Sequence, residues 1–157
     1  MLEIVNLIPS ARNQQVLRYK KVQGKEAKII SSTLKLGLGL PELQLPVEGH
    51  KPQVFIVICS TVSESKWVDI DLGIAVQSIL LKSVEMGMNG ICIGSFDKQM
   101  VKENCKLAYE PLLLLAFGKG DEKIELKKIS ENESHEYYRI KGNHIVPKIK
   151  LEDLILK

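Results

Sequence analysis

The chain has 157 residues, 45% of them hydrophobic and 26% charged, the proportions of an ordinary globular protein and not of a disordered, collagen-like or repetitive one. A length near that of one common domain leaves little room for two independent cores, so residues 1–157 are read as a single domain. The 22 basic and 19 acidic residues are interspersed and only 5% of the chain is aromatic, which argues against a nucleic-acid partner.

In chain order, MLEIVNLI places Leu2, Val5 and Ile8 on one helical face before Pro9 and Ser10 stop it, the end of a short helix. Val16 to Val22 reads as a half-exposed strand and Lys25 to Leu36 as an amphipathic helix. Gly37 to Pro52, rich in glycine and proline, is a long loop. The apolar, β-branched run Gln53 to Ser60 predicts a central strand covered on both faces. Trp67 to Met86 is the longest helix candidate. Its charges sit only at the ends, Asp69 and Asp71 at one and Lys82 and Glu85 at the other, so its middle is expected to be buried nearly all round.

Gly87 and Gly90 bracket the stop of that helix, NGICIGSF is a short strand ending in a turn at Gly94 and Ser95, and Asp97 can cap the next helix. Another buried strand starts at Pro111. The tail reads as a polar stretch over residues 121–136, an extended HEYYRIKG, a loop GNHIVPKIK and a closing helix LEDLILK. Strands and helices in this order predict a three-layer α/β or α+β domain.

Cys59, Cys92 and Cys105 form no C-x-x-C pair, which suits a reducing compartment. The first residues meet Pro9, Arg12 and Asn13 too early for a signal peptide, and the longest uncharged stretch, Leu72 to Leu81, is too short for a bilayer. A cytoplasmic protein with no membrane partner is expected. No metal site is predicted, because His50, His135 and His144 are far apart and the cysteines are single. There is no G-x-S-x-G elbow and no nucleotide-binding glycine fingerprint. The nearest, GLGLPE at Gly37, follows a helix and not a strand.

Three separated blocks remain: PSARNQQ (Pro9 to Gln15), DLGIAVQSILL with EMGMNGICIGSFD (Asp71 to Asp97), and HIVPKIKLEDLI (His144 to Ile155). They occur in the same order in FMN-dependent nitroreductases, and the chain resembles the compact prokaryotic branch of that family. The resemblance implies an α+β, three-layer nitroreductase-like fold with a central, mainly antiparallel sheet flanked by helices. It also implies FMN as cofactor and a homodimer with shared flavin sites. The activity implied is hydride transfer from NAD(P)H through the flavin to a nitroaromatic, quinone or similar acceptor.

Each block then has a role. Ser10, Asn13 and Gln15 offer neutral polar groups for the pyrimidine edge and ribityl chain; the resemblance sends this loop to the flavin of the other subunit, with Arg12 as an anion contact. Gly94 and Ser95 would bring a backbone N–H to the reacting edge of the ring, with Cys92 and Ile93 alongside it. Lys148 and Lys150 would meet the phosphate. No side-chain acid or base is assigned, and Asp71 and Gln77 are read as capping and packing the long helix. Cys92 taken alone is a small buried hydrophobe. The Arg-rich RRSxRxF segment usual in the family does not precede Leu2; either the sequence starts at an internal Met, or Lys148, Lys150 and Arg12 are expected to hold the phosphate alone. The alternative is a non-enzymatic dimer of this fold that binds flavin weakly or takes another ligand.

Overall fold

The computed structural model describes residues 1–34, 36, 45, 46 and 49–156. The GLGLPE motif and much of the loop read over Gly37 to Pro52 lie outside them. The described residues gather into two compact units, residues 1–34 with 49–120, and residues 36, 45 and 46 with 121–156.

The first unit is built on a four-stranded sheet in the order β1-β2-β4-β3, from β1 (Leu17–Gln23), β2 (Val54–Ser60), β3 (Asn89–Ile93) and β4 (Glu110–Gly118), and every pairing is antiparallel. β2 lies inside the sheet and all its residues after Val54 are buried, as its unbroken apolar run predicts. One face of the sheet, with Ile56, Ile58, Leu115 and Phe117, packs on Val68, Ala75 and Ile79 of the long helix α2 (Lys66–Glu85) and on the 3₁₀ turn Leu2–Asn6. On the other face lie α1 (Lys25–Thr33) and α3 (Lys98–Asn104), which contribute the fully buried Ala27, Ile30 and Val101. The expected α+β arrangement of helix, antiparallel sheet and helix is the one observed.

Several local outcomes differ from the sequence reading. The opening helix is a single 3₁₀ stretch. α1 stops at Thr33, three residues short of Leu36, because Leu34 turns extended and drops into the core at 6% exposure. Gly90 is not part of the helix stop but lies within β3. A Cβ there would stand 2.6 Å from Leu80 Cδ2 and 2.9 Å from Phe117 Cε1, so only glycine lets α2 approach the sheet this closely. The helix is ended by Gly87, at φ +71°.

α2 starts at Ser65, whose hydroxyl accepts from the Val68 amide at 3.4 Å. Asp97 caps α3 as expected, accepting from the Met100 amide at 2.8 Å. The predicted all-round burial of α2 is not found among the described residues. Val68, Asp71, Ala75, Ile79 and Ser83 face inward, whereas Trp67, Ile70, Leu81 and Val84 are exposed.

In the second unit the tail forms a three-stranded sheet, β5-β7-β6, from β5 (Ile124–Ile129), β6 (Tyr138–Ile140) and β7 (Asn143–Ile149), followed by a single turn, α4 (Leu151–Leu154). The segment read as the loop GNHIVPKIK is therefore mostly its middle strand. Pro147 argues against a strand there, yet β6 pairs only with residues 143–145 of β7, so the proline stands where β7 has one neighbour among the described residues and no N–H is needed. The polar stretch before it supplies β5, whose residues are exposed except Ile129.

Candidate functional site

Ser10 to Gln15 forms a tight, strained loop ahead of β1. Arg12, Asn13 and Gln15 all take positive φ, at +51°, +54° and +49°, a region that costs a non-glycine residue of the order of 1 kcal/mol or more. Several bonds hold it there. The Ser10 hydroxyl accepts from the Gln15 amide at 3.1 Å, Gln15 Nε2 donates to Asn13 Oδ1 at 3.1 Å, and Arg18 Nη1 donates to the carbonyls of Gln15 and Leu17 at 2.8 Å each. From the other side, Asp71 Oδ1 accepts from the Ala11 amide at 2.8 Å. Asp71 is buried at 4% exposure, and it does not cap α2, as Ser65 fills that role. It fastens the loop to the helix.

Sequence reasoning misses both anchors. Asp71 lies sixty positions from its partner, and Arg18 reads as one more charge on a half-exposed strand. Behind the loop is a cavity of about 200 Å³ lined by Ser10, Gln15, Arg18, Tyr19 and Asp71 among others. Burial, and then the Asp71 charge, push the Tyr19 hydroxyl above its ordinary pKa. The Arg12 guanidinium is exposed and has no hydrogen-bond or ion-pair partner among the described residues.

The second candidate block ends β3, an edge strand. Cys92 is exposed because no further strand among the described residues covers it, while Ile93 is buried at 4% and can present only its backbone outward. Gly94 and Ser95 follow, both exposed. Burial raises the thiol pKa of Cys92, and that of Cys59 to about 11, so both stay neutral thiols near pH 7 and neither is an activated nucleophile.

The strained loop and the Gly94–Ser95 turn lie toward the same end of the sheet but at opposite edges, β1 and β3. Three inter-strand spacings separate those edges, about 14 Å. Within one chain the two blocks are not brought together. Lys148 and Lys150 belong to the second unit. Lys148 is exposed on β7 and pairs in register with Lys128, and Lys150 lies 3.9 Å from Asp153 Oδ2. His144, on the same strand, stacks on Tyr137 with ring centroids 5.3 Å apart and has Nδ1 3.4 Å from Glu122 Oε2.

The family model named Nitroreductase family matches residues 4–119. The chain belongs to the nitroreductase family. At the level of the family it is an oxidoreductase. A nitroreductase family protein of Streptococcus pneumoniae superposes with a TM-score of 0.64 at 20% identity, covering 99% of this chain and 86% of that one. An FMN-dependent nitroreductase of Clostridium difficile gives 0.61 at 22%, with 78% and 73% covered. The FMN-dependent nitroreductase NfnB of Mycobacterium smegmatis, solved with NADPH, gives 0.62 at 14%, with 76% and 75% covered. At these identities the likeness is one of fold. No curated protein matches the chain. No helix among the described residues is long and apolar enough to cross a membrane.

Proposed function

We propose that this nitroreductase-family chain is an FMN-dependent oxidoreductase that works as a homodimer with shared flavin sites, taking hydride from NAD(P)H and passing electrons to a nitroaromatic, quinone or similar acceptor. One observation carries the reading: the two sets of groups suited to a flavin stand at opposite edges of one sheet, too far apart to meet within a chain. Two copies arranged about a twofold axis bring one chain's loop to the other's turn. The exposed face of α2 offers the surface for this. Trp67, Ile70, Ile74, Gln77, Leu81 and Val84 recur at alternating steps of three and four residues, the spacing of a helix that packs on another helix.

The donor set fits the cofactor. Ser10, Asn13 and Gln15 hold neutral amide and hydroxyl groups in a loop that is already bent and bonded, so little ordering remains on binding. The unpaired Arg12, with Lys148 and Lys150, is the cationic set for the phosphate. Gly94 and Ser95 supply backbone N–H donors with little side chain in the way, Cys92 lies beside them on the open strand edge, and Ile93 contributes backbone only. Bound FMN supplies the two-electron chemistry. The protein's part is to position it.

The three free cysteines suit a reducing, cytoplasmic setting. Residues 1–157 are taken as one nitroreductase-like domain, which a single cooperative unfolding transition supports and two separate transitions overturn.

The test is the visible spectrum of the freshly purified protein with sedimentation run alongside. A yellow dimer bleached by NADH or NADPH under argon is expected. A stable monomer at micromolar concentration that takes up no FMN overturns the reading, and a yellow dimer that neither nucleotide bleaches makes the protein a flavin-binding relative without the reductase activity.

A further inference from the structure

At the end of the four-stranded sheet away from the Ser10–Gln15 loop and the Gly94–Ser95 turn lies a cavity of about 910 Å³, within the roughly 300–1,000 Å³ of small-molecule sites. It opens where β1 ends and β2 and β3 begin. β3 alone rises about 13 Å from Asn89 to Ile93, so the cavity is separated by a strand's length from the residues assigned to the flavin. Its wall is apolar, with Leu2, Val54, Ile56, Met88, Ala116 and Phe117.

Its charged side chains have one sign. Lys21, His50, Lys51 and Lys119 line it and, among the described residues, no Asp or Glu does. Lys21 and Lys119 are exposed and unpaired with any carboxylate among the described residues. The lip is fixed by the Gly120 amide, which donates to Asn89 Oδ1 at 3.0 Å, and a Cβ at Gly120 would stand 2.9 Å from that same oxygen. An apolar wall with methionine in it accepts flexible or flat hydrocarbon without a fixed shape. Two unpaired ammonium groups at the mouth select a negative head over a neutral one.

We propose that this cavity binds an amphiphilic monocarboxylate, the hydrocarbon body against Val54, Met88 and Phe117 and the carboxylate between Lys21 and Lys119. The site is independent of the flavin reading, since it shares none of the residues assigned to the cofactor.

The test is calorimetric titration of the full chain, as purified, with decanoate below its micelle concentration and with decanol as the neutral match. Decanoate saturates at one per chain and decanol binds about tenfold more weakly. The double variant K21E/K119E loses at least about tenfold in decanoate affinity with its circular dichroism unchanged. Met88→Trp, which fills the cavity from its wall, removes binding. Saturating FMN leaves the isotherm as it was. Absence of saturable binding, equal affinity for decanol, or indifference to K21E/K119E overturns the proposal. Competition by FMN overturns it too, by making the cavity part of the cofactor's own site. Should the double variant fail to fold, the decanol comparison and Met88→Trp still decide.

Discussion

Along α2, the side turned into the chain carries Val68, Asp71, Ala75, Ile79 and Ser83, while the side turned outward carries Trp67, Ile70, Leu81 and Val84. Two of the five inward residues are polar, while the outward side carries four large apolar residues with Gln77 among them, Leu81 at 61% and Val84 at 65% exposure. The inner face has to approach a sheet and a loop closely. Ala75 and Ser83 are small enough for that, and Asp71 supplies the acceptor that the Ala11 amide requires. The outer face has no partner among the described residues, and its large apolar side chains are of the kind found in an interface core. The difference separates two kinds of burial, one that folds the chain and one that on the proposed reading joins two chains. Substitutions on each side should fail in different ways.

The largest effect is expected from the inner face. Ile79 is fully buried against the sheet, and Ile79→Ala should cost about 2–5 kcal/mol in urea unfolding, through lost transfer energy and the cavity left behind. A smaller loss would mean that α2 can settle onto the sheet and that its inner packing is loose. On the outer face, Leu81→Glu with Val84→Glu should leave the secondary structure intact but raise the dimer dissociation constant by about 100-fold or more, since four carboxylates would be desolvated about the twofold axis. Sedimentation reads this directly, and FMN retention should fall with it. Monomerisation with undiminished flavin binding would break the link between the outer face and the shared site.

How much of this was legible depended on whether the signal was local. β2 could be read because Val54 to Ser60 is buried on both faces and its composition says so. The caps at Asp97 and Gly87 could be read because capping is chemistry within one turn. α2 was legible as a helix but not in its two faces, because both are apolar enough to hide the boundary. β5 and β7 were missed because each depends on the other: a polar, exposed β5 is a strand only beside β7, and Pro147 is tolerated only where β6 has ended. At the candidate site, the residue types in PSARNQQ pointed to polar recognition. The bonds that hold the loop from outside come from Arg18 and Asp71, and the second is set entirely by tertiary structure.

Asp71 tests whether the inner polar residues serve the loop or only fill space. Asp71→Ala leaves the Ala11 amide without its acceptor in a partly buried place, which should cost about 1–3 kcal/mol. Asp71→Asn keeps an acceptor oxygen and should recover most of that. The readout that a filling role would not move is hydrogen exchange at the Ala11 amide, expected to quicken in the alanine variant and return toward the parent rate in the asparagine one. Unchanged exchange in both would detach the strained loop from α2.

The smallest effect, and the sharpest contrast with Asp71, belongs to Ser83. It is as deeply buried, at 0% exposure, but its hydroxyl donates to the Leu80 carbonyl of its own helix at 2.7 Å, so its polar group is satisfied locally and reaches nothing else among the described residues. Ser83→Ala removes donor and local bond together, leaves little space, and places a better helix former in the last turn. The change in unfolding free energy should therefore stay within about 0.5 kcal/mol of the parent, with no change in exchange at Ala11 or in dimerisation. A cost of several times that value would mean that the Ser83 hydroxyl supports the end of α2 and the turn at Gly87, and that polar groups on the inner face do structural work beyond the loop held by Asp71.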